Sequence, residues 1–126
     1  MNRKPFEYAA VRAVPRIERG EQINVGVVLY CQARDFLAAR IHLDTERLRC
    51  LDPGVDVEAV AAALRGWDTT CAGGPDGGPA ARMRLGERFR WLTAPRSTVI
   101  QAGPVHTGLT EEPADELERL LELLVR

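Results

Sequence analysis

An α+β fold is predicted: a mostly antiparallel sheet of about four strands, with helices, the C-terminal one included, packed on one face. Three observations lead there. Two β-rich stretches near the N-terminus, Glu7–Val14 and Gln22–Cys31, are joined by a short glycine-containing turn, which makes a hairpin. The segments that follow do not alternate as βαβα, so a doubly wound parallel sheet is not expected. The chain closes on a segment with one leucine-rich stripe. Its 126 residues are the size of one ordinary domain, and 1–126 is read as one.

Residues 1–6 read as a tail. In Glu7–Val14 both alternating sets contain apolar residues, a pattern that suits a strand covered at least partly on both faces. Pro15 lacks an N–H and closes it. Gly20 supplies a turn position where a positive φ is tolerated. In the second strand Ile23, Val25, Val27 and Leu29 form one face, and Asn24, Gly26, Val28 and Tyr30 the other. Gly26 in mid-strand signals a bulge or a close backbone approach. Phe36–Leu43 reads as a third strand.

Asp44–Leu51 is helix-like, stopped by Asp52-Pro53-Gly54. A firmer helix follows, with Val57, Val60, Ala61 and Leu64 on one face, Asp56 as its N-cap and Gly66 near its end. Residues 72–79 hold four glycines and two prolines, a flexible excursion. Leu85–Leu92 fits either a helical turn or a strand. Ser97–Ala102 reads as a fourth strand and Gly103–Thr110 as a structured loop. The last helix carries Leu117, Leu120, Leu121, Leu124 and Val125 on one stripe, with Thr110 as its candidate cap and Pro113 in its first turn. A stripe this short belongs to a core rather than to a coiled-coil seam.

Seventeen basic and eighteen acidic residues give a formal net charge of −1, which disfavours a general nucleic-acid or anionic-membrane binder. No run approaches the roughly 20 apolar residues that span a bilayer, and the opening MNRKPFEY has no apolar signal core. Three cysteines, Cys31, Cys50 and Cys71, lack any C-x-x-C pair, so a disulfide framework is not expected and a cytoplasmic location is.

Chemistry is sparse. His42, Cys50, Cys71 and His106 lack the paired spacing of structural zinc sites, so neither a metal nor another cofactor is expected. Cys31 or Ser97 could serve as nucleophile with His106 as base, but no nucleophile elbow accompanies them, and a lone buried cysteine acts as filler. The glycine-rich run lacks the Gly-Lys-Ser/Thr ending of a phosphate loop.

One polar cluster stands apart. Arg12, Arg16, Arg19, Glu21 and Asn24 belong to the first hairpin; Arg96, Ser97, Thr98, His106 and Thr107 belong to the chain's second half. Arginine offers a planar fork of donors suited to carboxylate or phosphate, and Ser, Thr and His add donors and acceptors. If the two regions lie side by side, they form a basic, hydrogen-bonding concavity. The bland alternative is local: Arg19 with Glu21, and Arg96, make salt bridges and turn caps that contribute little.

Tyr8-Ala9-Ala10-Val11-Arg12-Ala13-Val14-Pro15, then Arg19-Gly20-Glu21 and Asn24-Val25-Gly26-Val27-Val28-Leu29, resemble the opening of a bacterial family, domain of unknown function 3037. Phe89-Arg90-Trp91-Leu92, Pro95-Arg96-Ser97-Thr98 and Pro104-Val105-His106-Thr107-Gly108 resemble its second block. The resemblance spans nearly the whole chain and carries no established activity or catalytic residues. It implies company rather than chemistry: similar proteins are often encoded beside a HipA-like kinase. The leading expectation is a non-enzymatic binding or accessory module that docks a protein partner or an anionic group through the Arg16–Asn24 and Arg96–Thr107 regions, and the resemblance implies such a kinase as its partner. The alternative is a small hydrolase or nuclease-like enzyme acting on phosphate esters through His106 and the arginines.

Overall fold

A computed structural model of the chain describes residues 2–73 and 83–126. Its elements in order are β1 (Lys4–Ala13), β2 (Ile23–Cys31), β3 (Phe36–Ile41), α1 (Thr45–Leu51) and α2 (Val57–Ala72). They continue with α3 (Leu85–Thr93), β4 (Ile100–Ala102), β5 (His106–Thr110) and α4 (Pro113–Leu124). All strand pairings are antiparallel, as the α+β reading expects. The sheet order is β3-β2-β1, and β4 and β5 share the far side of β1. β4 lies opposite Val11–Ala13, and β5 opposite Lys4–Tyr8.

That shared side explains two departures from the sequence reading. β1 begins at Lys4, inside the expected tail, and the extra length gives His106–Thr110 a partner, so part of the expected loop is a fifth strand. β4 is shorter than expected, since only Ile100–Ala102 reach the ladder. Leu85–Leu92, open between helix and strand, is helical and buries Phe89 and Leu92. α2 runs through the exposed Gly66 and ends at Gly73, whose φ of 79° stops it. The predicted excursion thus begins no earlier than that cap, and 74–79 lie outside the described residues.

The sheet is covered on both faces rather than one. On the first face, Ala9, Val11 and Ala13 of β1 with Val28 of β2 pack against Leu48, Val60, Leu64 and Phe89 of α1–α3. On the second, Phe6, Val27, Leu29 and Cys31 pack against Leu117, Leu120, Leu121 and Val125 at α4. The cause is visible in β1 and β2, whose alternating sets are both apolar: two buried faces require two covers. Burying each of those α4 side chains contributes about 1.5–3 kcal/mol of transfer free energy.

A β-bulge sets the register between the two central strands. Val11 pairs with Gly26 and Arg12 with Asn24, which leaves Val25 without a partner. The bulge shifts the alternation, so Ile23 and Val25 share a face with Val28 and Tyr30, while Val27 and Leu29 join α4. The strict alternation expected for β2 therefore fails at this point. Gly26 also meets a neighbour closely: a Cβ there would lie 2.6 Å from the Arg40 carbonyl oxygen.

Caps hold the helices. The Asp44 carboxylate accepts from the Glu46 and Arg47 amides at 3.1 and 3.2 Å, and Asp56 accepts from Ala59 at 3.1 Å. Thr110 is not the cap of α4 itself; its hydroxyl accepts from the Glu112 amide at 3.2 Å, one step before Pro113 opens the helix.

Candidate functional site

The bulge that re-registers β2 also turns Asn24 toward α4. Its amide donates to the Leu124 carbonyl at 3.1 Å, while its Oδ1 accepts from Arg12 Nε at 3.3 Å. Arg12, near the end of β1, is thus held by its cross-strand partner, and Asn24 by the last turn of a helix one hundred residues later in the chain. Around this pair lies a recess of ≈ 120 Å³, formed with Tyr8 of β1, Pro104 between β4 and β5, His106 at the start of β5, and Leu124. Among the described residues no Asp or Glu lines it.

Tyr8, Arg12 and Asn24 come from the two central strands; His106 arrives through the β5 register, which sets it opposite Tyr8. Their ring centroids are 5.4 Å apart. Gly103 is required behind the arginine, because a Cβ there would lie 2.9 Å from Cζ of the guanidinium. The guanidinium therefore lies against bare backbone, with its Nε committed to Asn24.

The remaining members of the sequence-derived cluster do not line this recess. Arg16, Arg19 and Glu21 are exposed on the β1–β2 turn, where Arg16 pairs with Glu18 at 2.9 Å and Arg19 with Glu21 at 2.5 Å. The Glu21 carboxyl is held below its ordinary range by the Arg19 hydrogen bond, and Glu18 by a backbone hydrogen bond and then Arg16. His106 lies opposite Tyr8, five residues before Ala13, or roughly 17 Å along the strand at about 3.4 Å per residue. The charged turn starts beyond that.

Arg96 stacks over the Trp91 ring at 4.2 Å and donates to the Trp91 carbonyl. Ser97 is exposed. The Thr98 hydroxyl donates to the Ile100 carbonyl at 2.6 Å. Thr107 borders a separate, larger hollow of ≈ 610 Å³ with Pro5, Glu7 and Tyr30. Of the two expected regions, then, Arg12, Asn24 and His106 meet and the others stay apart. Tyr8 and Gly103 were missed by sequence reasoning. Tyr8 had a signal, since it lies two and four positions before Ala10 and Arg12 on the same side of β1; Gly103 had none.

Among the described residues no group of three or more His, Cys, Asp or Glu is placed to hold a metal. Cys31 is buried with its Sγ 3.5 Å from the Pro5 carbonyl. Burial, then Asp68, pushes the Cys71 thiol up to about 12, against the opposing pull of Arg88, so it stays protonated. No described helix is long and apolar enough to cross a membrane.

Fold and recess together define an α+β chain with a small polar hollow lined by a cation and, among the described residues, by no carboxylate. The chain belongs to the family described as Protein of unknown function (DUF3037), whose model matches residues 8–125. No curated protein and no solved structure matches the chain.

Proposed function

We propose that the chain is a cytoplasmic binding module that docks a protein partner by receiving an anionic group of that partner in the Arg12 recess. The observation that carries this reading is Arg12 itself. A part-buried guanidinium whose side-chain partner is a neutral amide, in a recess that no described carboxylate lines, is a cation with no ion-pair partner among the described residues, held in one place. The partner we propose, on the family resemblance, is a HipA-like kinase. The exposed Arg16, Arg19, Glu21, Ser97 and Thr107, with the half-buried Arg96, would then serve as outlying contacts, of small individual worth.

The test is affinity purification of the tagged chain from its native host under mild lysis. The wild type is expected to retain a kinase, and Arg12→Ala to lose it. Recovery of the wild type alone sinks the partner reading. A second reading, hydrolysis of phosphate esters with His106 as acid or base, draws on His106 and Arg12 sharing one recess. It predicts an activity in a phosphoesterase screen that His106→Ala abolishes. Arg96, at its Trp91 stack, is not expected to matter to it.

A further inference from the structure

We propose that the ligand of the Arg12 recess is a monoanionic carboxylate, presented end-on to the two terminal nitrogens of the Arg12 guanidinium. The proposal rests on the binding-module reading and names the chemistry of the group received.

Three observations select a carboxylate over a phosphate. The first is charge. Among the described residues one guanidinium is the permanent cation lining the recess, so one negative charge is balanced and two are not. The second is the neighbouring helix. α4 reaches the recess with its C-terminal end: Leu124 lines it, and its carbonyl is engaged by Asn24. That end of a helix carries partial negative charge, the opposite of the helix N-termini that cradle phosphates. A dianion is repelled there more strongly than a monoanion.

The third is size and shape. A volume of ≈ 120 Å³ admits a carboxyl group with a short stem and excludes a nucleotide. The Arg12 Nε already donates to Asn24 Oδ1, which removes the side-on approach and leaves the two terminal nitrogens as a parallel pair of donors. A planar carboxylate matches that pair in a bidentate, charge-assisted contact. Leu124 and Pro104 provide an apolar wall for the stem, and the exposed His106 ring provides a further polar contact at the mouth.

Two sources present this chemistry: a free small carboxylic acid, and the carboxylate of a peptide. Gly103 supplies a clean test. It makes the bare surface on which the guanidinium rests, and the atoms that an added Cβ would meet belong to the flexible end of the Arg12 side chain rather than to backbone. Gly103→Ala therefore displaces the guanidinium while leaving the fold in place. Gly103 is a positioning residue in this sense.

The experiment is a ¹H–¹⁵N NMR titration of the full chain at constant ionic strength. The probes are sodium acetate, sodium phosphate, sodium chloride, and two short peptides that differ only in a free or amidated C-terminus. Acetate is expected to shift the Arg12 Nε–H signal saturably and more tightly than phosphate. Gly103→Ala and Arg12→Lys are expected to weaken acetate by roughly tenfold or more, the worth of one charged hydrogen bond, with the unfolding midpoint of Gly103→Ala nearly unchanged. Binding of the free-acid peptide but not its amide assigns the source to a peptide; binding of acetate alone assigns it to a free acid, and either supports the proposal. Acetate acting as chloride does, phosphate binding more tightly than acetate, or undiminished binding by both variants overturns it. A failed partner purification leaves a positive acetate result standing, so the two proposals fail separately.

Discussion

At Gly26 a methyl group would lie 2.6 Å from both the Arg40 carbonyl oxygen and the Ile41 Cδ1, so the contact is in part with backbone that cannot move aside. Gly26→Ala is therefore expected to cost about 1–3 kcal/mol, the range of overpacking, measured by denaturant unfolding. A variant as stable as the wild type would show that β3 yields freely at this point. Asp68 makes a different prediction. Burial raises its carboxyl above the ordinary value, and Arg40 only partly offsets this. The folded chain thus holds that proton more tightly than the unfolded one, and stability is lost as pH rises through the carboxylate range. Asp68→Asn is expected to melt higher than the wild type at neutral pH, with the gap closing in acid. No gap at neutral pH would contradict the sign.

At the scale of elements, Arg88 of α3 ties two pieces of chain together. Its guanidinium donates to the Cys71 carbonyl at 2.9 Å, at the end of α2, and to the Met83 carbonyl at 2.7 Å, before α3. Replacing it with Met keeps much of the apolar stem and removes those donors, at an expected cost of about 1–3 kcal/mol in urea unfolding. An unchanged midpoint would mean that the carbonyls find water as readily as they find arginine. Arg88 also illustrates why α3 was hard to read. Its window is short, and one of its inward positions is a charged residue, so the periodicity that separates helix from strand is blurred. α4 has the opposite character. Leu117, Leu120, Leu121 and Val125 are all buried, and the stripe alone identifies the helix.

For the whole molecule, the two apolar clusters share β1 and β2 as their common wall. A cavity on one side is therefore expected to loosen a sheet that the other side also uses. Leu117, fully buried against Val27 and Leu29, is the position to test: Leu117→Ala is expected to cost about 2–5 kcal/mol and to lower the single unfolding transition seen by both tryptophan fluorescence and far-ultraviolet circular dichroism. Two separated transitions would mean that α4 and its cluster unfold independently of the rest. The same layering carries the recess, because Asn24 fastens to the last turn of α4 and Arg12 to Asn24. Loosening α4 should thus weaken acetate binding in the same variant.

The hairpin of β1 and β2, the caps Asp44 and Asp56, the apolar stripe of α4 and the special role of Gly26 were all legible in the residues, since each rests on local chemistry: side-chain period, a short polar cap, a missing Cβ. Arg12, Asn24 and His106 could be named as polar groups of the right kind, though in company with Arg16, Arg19 and Arg96, which look no different in a string of letters. Only the tertiary structure separated them. The bulge at Val25, the pairing of His106 with Tyr8 and the arrival of Leu124 beside Asn24 are long-range contacts. Register and layering depend on which faces find partners, and a residue's own neighbours in the chain do not contain that information.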